Sequence, residues 1–221
     1  MTAPCPFVVA IDGPAASGKG TLARRLAERF GFAHLDTGRL YRATAFLLLE
    51  AGDDPADPGA AHAAACCVDP ALFADPRLSD EPITRASAIV AAIPAVREAL
   101  LQMQRDFAAN PPTPALGAVV DGRDIGTVVC PDAAVKLFVT ASPKARAARR
   151  VKELRERGAP AIYKDVLQDM KERDARDSGR RVAPLAAAPD AVTIDTTGLD
   201  ANQVFEQASD IVARALAAHG R

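Results

Sequence analysis

One stretch near the start of the chain combines residue types that bind phosphate, in a G-x-x-x-x-G-K pattern. Glycines at its end leave room for backbone N–H groups to turn toward an anion, because they carry no Cβ. A lysine adds a mobile cation suited to outer phosphates. The pattern predicts a nucleotide-phosphate cradle, the expected ATP site, formed by Gly13, Pro14, Ala15, Ala16, Ser17, Gly18, Lys19, Gly20 and Thr21.

The segments around this loop are those that such a cradle needs. The apolar run Phe7–Asp12 is typical of a buried parallel strand. After the loop, Leu22, Leu26 and Phe30 recur every four residues, which predicts a helix. The helix N-terminus adds unpaired N–H groups and the positive end of a dipole. These flanking elements favour the cradle over the alternative, an ordinary glycine turn.

Two further stretches carry arginines at positions where a second phosphate could bind. In Asp36–Arg42, which follows the predicted strand 32–36, Arg42 is a candidate phosphate ligand; the alternative is a solvated helix arginine. Asp121–Gly126 follows the predicted strand 117–121, and ligands of parallel sheets bind beyond the carboxyl ends of strands. Arg123 and Asp124 are therefore candidate nucleotide ligands, the alternative being a charged turn.

Three other groups of polar residues are weaker candidates on their own. Ser87 and Arg97, on either side of Pro94, indicate nothing beyond surface residues. In the segment 171–180 three residues share one helix face if the helix persists that far: Arg173, Asp177 and Arg180. The alternatives are an exposed face with ion pairs, and a helix end at Gly179 that places Arg180 in a loop. The basic segment from Arg149 and Arg150 to about Tyr163 is either a solvated helix or a lid that closes over nucleotides.

Composition limits the class of protein. With 221 residues the chain can form one full domain, and a formal net charge of −1 gives no general attraction to nucleic acid or anionic membranes. We expect no signal peptide or membrane span, and a cytoplasmic location. The cysteines have no C-x-x-C spacing, so we interpret them as reduced thiols, with a zinc site as the alternative: Cys5, Cys66, Cys67 and Cys130.

Short apolar runs alternate with longer helical patterns along the chain. Further strands are predicted at 135–140 and 192–195, and helices at 39–50, 83–107 (interrupted at Pro94), 142–158, 162–177 and 200–219. The alternation predicts an α/β layer sandwich around a parallel sheet. The segment 51–79 is rich in Gly, Pro, Asp and Ala, and we expect it to be a loose insertion or mobile lobe outside the core.

Four motifs, taken together and in order, resemble the bacterial cytidylate kinases along nearly the whole chain. They are IDGPAASGKGT, LDTGRLYR, DGRDIGTVV with PDA, and KERDARD with RVAPL. The resemblance implies a three-layer P-loop fold over residues 1–221, with a monophosphate-binding insertion at about 52–110 and a lid at about 150–165. It implies transfer of the ATP γ-phosphoryl group to CMP or dCMP with Mg²⁺. Because Gly20 replaces the usual hydroxyl residue after Lys19, no direct side-chain ligand for the metal is predicted.

The resemblance also implies a set of site residues. The expected CMP ligands are Thr37, Arg42, Ser87, Arg97, Arg123, Asp124, Arg173, Asp177 and Arg180, and the expected catalytic residues are Lys19, Arg123, Arg149 and Arg180. Cytosine presents an amine donor beside N3 and O2 acceptors, which an aspartate and an arginine match, here Asp124 and Arg97. Arginine clusters suit the acceptor phosphate.

Other functions share parts of this pattern. A GTPase-like switch would need an N-K-x-D motif, which is absent, since Pro111 follows Asn110 and Gln203 follows Asn202. A nucleic-acid-binding ATPase is disfavoured by the near-neutral charge and few aromatic residues. The main alternative is a kinase for another small acceptor, such as adenylate, uridylate or shikimate. We expect a monomer with small-molecule substrates and no nucleic-acid or membrane partner.

Overall fold

The protein is described here from a computed structural model that covers residues 6–219. These residues form two compact units. The first contains the residues up to Leu35 together with those from Ala108 onward, and the second contains Asp36–Phe107. The insertion predicted at about 52–110 falls largely within the second unit.

A parallel sheet of five strands forms the centre of the first unit. The strands are β1 (Phe7–Asp12), β2 (Ala33–Asp36), β3 (Gly117–Gly122), β4 (Val135–Thr140) and β5 (Val192–Asp195). Their order is β2-β3-β1-β4-β5, so β1 lies in the middle and the loop after it starts between two neighbours. All six residues of β3 are buried, as expected for a strand covered on both faces. The predicted strands and the α/β layer fold are confirmed.

Most helices lie in the predicted segments; the exception is a helix at Pro58–Cys66, within the segment that was expected to be loose. In chain order the helices are α1 (Lys19–Phe30), α2 (Thr37–Ala51), α3 (Pro58–Cys66), α4 (Glu81–Val90), α5 (Pro94–Ala109), α6 (Pro143–Glu156), α7 (Tyr163–Ser178) and α8 (Ala201–His219). Pro94 begins α5, which confirms the predicted interruption. Ser142 caps α6 by accepting a hydrogen bond from the Ala145 N–H. No single helix of residues 6–219 is long and apolar enough to cross a membrane; α4 and α5 pass that test only as a pair bent by 100°.

The core of the first unit explains why the loop after β1 is held firmly. Leu22 and Leu26 of α1 pack against Val9 and Ile11 of β1 within one buried cluster. Val212 of α8 joins the same cluster. Burial of each such side chain contributes about 1.5–3 kcal/mol. Strand and helix on either side of the loop are therefore fixed by a common core.

The expectation that residues 51–79 lie outside any core is wrong. Ala61 and Ala65 of α3 and Leu78 are buried in the core of the second unit with Leu40 and Leu100. Aspartate–proline pairs, which sequence analysis takes for loop signals, begin helical segments here. Three aspartates each directly precede a proline, and their side chains accept hydrogen bonds from backbone N–H groups one or two residues after that proline: Asp57, Asp69 and Asp75.

Candidate functional site

The loop after β1 has a backbone that requires glycine at two points. Gly13 has φ +152°, and a Cβ there would lie 2.0 Å from the carbonyl oxygen of Val139. Gly18 has φ +94° and occupies the N-cap position of α1, without a side-chain capping hydrogen bond. The N-terminus of α1 thus presents its first N–H groups with no side-chain cap, which suits an anion.

Lys19 lies at the start of α1 and reaches back over this loop. Its Nζ atom is 3.5 Å from the carbonyl oxygen of Pro14. The side chain is partly exposed, so the ammonium group remains accessible to a ligand. A cation held beside uncapped N–H groups is suited to the outer phosphates of a nucleotide.

Two arginines of α6 support the loop through its carbonyl oxygens. Arg146 is buried and donates to Ala15 O at 3.2 Å and to the carboxylate of Asp174 at 3.1 Å. Arg149 donates to Ser17 O at 3.3 Å and to Thr196 Oγ1 at 2.8 Å. Because backbone N–H groups are the phosphate ligands of such loops, fixing the opposite carbonyl groups fixes the cradle. Arg149, an expected catalytic residue, thus contacts the loop directly.

Asp12, at the end of β1, holds the turn that follows Asp124. Its two carboxylate oxygens accept hydrogen bonds from the N–H groups of Ile125 (2.7 Å) and Gly126 (2.8 Å). Burial raises the pKa of Asp12 to about 6, because it disfavours the charged form more than these donors and Lys19 favour it. Asp124 is itself buried and raises the pKa of Asp12 further through its charge.

The raised pKa of Asp12 predicts a specific pH dependence of stability. Because the folded state binds this proton more tightly than the unfolded chain, the free energy of unfolding falls as pH rises from about 4 to above 6, by about 3 kcal/mol. Asp12→Asn removes this titration. The free energy of unfolding of the wild type and of Asp12→Asn is measured in urea between pH 4 and 8, and the difference between the two should change over this range. A difference that stays constant with pH would contradict the prediction.

A second charged cluster joins the segment after β3 to the end of α7. Buried Asp177 accepts hydrogen bonds from Arg123 Nε at 3.0 Å and from Arg180 Nη2. Burial alone would raise the pKa of Asp177, but the charges of Arg123, Arg180 and Arg173 outweigh it and lower the pKa. The structure therefore brings together four of the predicted acceptor-site residues: Arg123, Arg173, Asp177 and Arg180. It contradicts the alternative of an exposed set of ion pairs.

The remaining predicted ligands lie in the second unit. Thr37 is buried at the first turn of α2, and Arg42 donates to Asp36 at 2.7 Å. Ser87 donates to Thr84 O at 2.7 Å, and the Arg97 guanidinium lies 5.7 Å from the ring centroid of Tyr41. Taken alone, Ser87 and Arg97 indicated surface residues, but both are buried, so that interpretation is wrong.

Several residues that shape the first unit's site carry only a weak signal in the sequence. Asp12 is the last residue of an apolar run, and Asp121 is the last residue of the predicted strand 117–121, so neither stood out as a functional side chain. Arg146 and Asp174 are 28 positions apart, and Thr196 directly follows the last strand, so no local pattern connects any of them to the loop. A carboxylate at the end of a predicted buried strand was the one usable signal.

The strand–glycine loop–helix unit, with a lysine at the helix start and arginines paired to a buried carboxylate, defines a P-loop phosphotransferase. A family model described as cytidylate kinase matches residues 9–214. The chain therefore belongs to the cytidylate kinase family and is a kinase.

Relatives at high identity agree with this assignment. A cytidylate kinase of Rhodospirillum rubrum is 59% identical over 207 residues, covering 94% of this chain and 97% of the relative. The cytidylate kinase of Paramagnetospirillum magneticum is 57% identical, covering 93% of this chain and 97% of the relative. That of Bradyrhizobium diazoefficiens is 51% identical, covering 97% of this chain and 100% of the relative. Among solved structures, the crystal structure of an uncharacterized protein from Eubacterium ventriosum matches with a TM-score of 0.50 and 14% identity, covering 94% of this chain and 98% of that one. At this identity the match shows a shared fold alone.

Proposed function

We propose that this chain transfers the γ-phosphoryl group of ATP to CMP or dCMP, giving ADP and CDP or dCDP. Membership of the cytidylate kinase family carries the proposal. The cluster around Asp177 supports it, because three arginines with one carboxylate supply the positive charge that an acceptor phosphate needs. Phosphoryl transfer depends mainly on positioning and charge neutralisation, and needs no side-chain nucleophile.

In this mechanism the loop residues 13–21 hold the phosphates of ATP. The N–H groups at the start of α1 bind phosphate oxygens, while Lys19 offsets the negative charge that develops on the transferred group. Arg146 and Arg149 keep the loop in this shape through its carbonyl oxygens. Closure of a lid at about 150–165, which would exclude water, stays a prediction.

The acceptor nucleotide is proposed to bind residues of two later motifs, DGRDIGTVV and KERDARD, and Arg180, which follows the second. Arg123 and Arg180 bind the CMP phosphate, with Asp177 setting their orientation, and Arg173 and Asp177 suit the ribose hydroxyl groups. Asp124 recognises the base. The assignments in the second unit rest on the family pattern and stay predictions: Thr37, Arg42, Ser87 and Arg97. A monomeric state and a cytoplasmic location also stay predictions.

We propose Mg²⁺ as the metal that accompanies ATP. In proteins Mg²⁺ keeps several waters and uses one or two carboxylates plus substrate phosphates. Asp12 ends β1, Asp121 lies one residue before the end of the neighbouring β3, and a Cβ on Gly20 would lie 3.8 Å from Asp121 Oδ2. These two carboxylates would suit a hydrated Mg²⁺ held through its waters. When bound, it would neutralise charge on the phosphates. Gly20 offers no hydroxyl, consistent with binding through water.

The experiment that tests this function incubates the protein with ATP, Mg²⁺ and one acceptor at a time, and measures ADP release. The acceptors are nucleoside monophosphates and shikimate. We expect kcat/KM for CMP or dCMP to exceed that for AMP, GMP and shikimate by orders of magnitude. Preference for another acceptor would overturn the proposal. A chain that hydrolyses ATP without any of these acceptors would indicate a different class of P-loop protein.

Base choice gives a sharper prediction, because Asp124 is buried. Uracil would place a carbonyl oxygen against its carboxylate, and an unpaired buried polar group costs about 1–3 kcal/mol. Asp124→Asn can turn an amide N–H₂ toward uracil O4. The ratio of kcat/KM for CMP to that for UMP should therefore fall roughly tenfold or more, mainly through loss of CMP use. An active variant with an unchanged ratio would mean that Asp124 does not contact the base.

A further inference from the structure

A histidine that has no role in the mechanism above pairs with Asp121, one of the two carboxylates proposed to hold the metal. His34 lies on β2, and Asp121 lies near the end of β3. Nε2 of His34 is 2.8 Å from Oδ1 of Asp121. The aspartate side chain is 3% exposed and the histidine side chain 22% exposed. A carboxylate oxygen accepts hydrogen bonds, so the His34 tautomer with a proton on Nε2 donates to Asp121.

The other oxygen of Asp121 faces the phosphate-binding loop. A Cβ on Gly20 would lie 3.8 Å from Oδ2, so this oxygen lies beside the first turn of α1, next to Lys19. In the sheet, Asp121 is paired with Ile11, one residue before Asp12. The carboxylate therefore has two sides: Oδ1 is held by His34, and Oδ2 is directed toward the loop. A hydrogen bond to one oxygen of a carboxylate sets the orientation of the other.

We propose that His34 is a positioning residue, which orients Asp121 so that Oδ2 accepts a hydrogen bond from the water shell of the Mg²⁺ bound with ATP. This inference rests on the proposed function, because it requires a magnesium nucleotide at the loop. Outer partners of a metal site, which fix a carboxylate without touching the metal, typically change metal affinity or activity by 10–100-fold when removed. His34 has the geometry of such a partner.

The competing interpretation is a purely structural link between β2 and β3. The two interpretations predict different binding data. A structural link affects the loop as a whole, so its loss weakens binding of ATP with and without metal alike. A positioning residue affects the metal-dependent part of binding and leaves metal-free ATP binding unchanged.

The test uses the full chain and isothermal titration calorimetry with ATP, once in Mg²⁺ and once in EDTA. In the wild type we expect MgATP to bind more tightly than metal-free ATP. His34→Leu removes the donor and should reduce this ratio of dissociation constants roughly tenfold, with the metal-free constant unchanged. His34→Gln keeps an N–H donor and should restore much of the ratio. His62→Leu makes the same change in the other compact unit and should have no effect.

Asp121→Asn provides a second test that does not depend on how the leucine variant folds. Asp121→Asn should reduce the preference for MgATP over metal-free ATP as His34→Leu does. The double variant should reduce it no further, since the two changes remove the same interaction. Retention of the metal effect in either folded single variant would overturn the inference. Its failure is distinct from failure of the proposed function, because the wild type would still phosphorylate CMP in the first case and not in the second.

Discussion

Lys19→Ala is expected to lower kcat for CMP phosphorylation by about 10²–10³-fold or more, with the fold retained. Lys19 begins α1 beside helix N–H groups that have no side-chain cap, and its Nζ atom reaches back to the Pro14 carbonyl. Its charge is placed to offset the charge on the transferred phosphoryl group. Removing a single electrostatic stabiliser of a transition state costs about 3–4 kcal/mol in comparable sites. Steady-state kinetics at saturating ATP and CMP measures the effect.

The control for this experiment is Lys144→Ala, which removes an exposed lysine from the first turn of α6, outside the predicted lid. Both variants should unfold within a few degrees of the wild type, because neither lysine belongs to a buried core. Turnover of the Lys144 variant should match the wild type. Near-normal turnover of a folded Lys19→Ala protein would show that Lys19 does not stabilise the transition state.

Asp177→Ala is expected to have the largest effect on stability. This buried carboxylate neutralises Arg123 and Arg180, and breaking a buried ion pair by removing one partner costs about 3–5 kcal/mol. For a chain of this size the melting temperature should fall by roughly ten degrees. The KM for CMP should rise while the KM for ATP stays nearly constant, since the affected arginines are the proposed acceptor ligands.

The pH dependence of Asp177 has the opposite sign to that of Asp12. Its folded pKa is lowered, so its contribution to stability is present above the ordinary carboxyl pKa and is lost as pH falls through the folded value. Calorimetry at neutral pH, compared with the exposed Asp165→Ala on the same helix, measures the loss. A melting temperature equal to that of the Asp165 variant would show that the arginines do not depend on Asp177.

The local elements of this fold could be predicted from the sequence because local patterns encode them. The apolar run at 7–12 reflects a strand that is buried on both faces. The spacing of four residues between Leu22, Leu26 and Phe30 reflects the one face of α1 that packs on the core. The glycines of the loop follow from backbone geometry, as Gly13 and Gly18 show. Four ordered motifs were specific enough to indicate the family, which the family model and relatives confirm.

In the second unit, residue composition gave a wrong prediction of which segment is loosely structured. Residues 51–79 have the residue types of a loose loop, yet the alanines of α3 fill a core because small side chains allow close packing with its neighbours. The Asp-Pro pairs act as helix starts rather than loop signals. Whether an alanine-rich segment is buried depends on what packs against it, which local patterns do not contain.

The tertiary structure alone decided the contacts that tie the site together. Asp12 accepts hydrogen bonds from residues 113 and 114 positions later, and Asp121 meets His34 across 87 positions. Arg146 of α6 and the Ala15 carbonyl are 131 positions apart. These polar pairs follow from strand order and helix placement, which bring the ends of separate segments together. The sequence by itself determined the phosphate-binding loop and its family, whereas only the folded chain determined how buried charges hold that loop in shape.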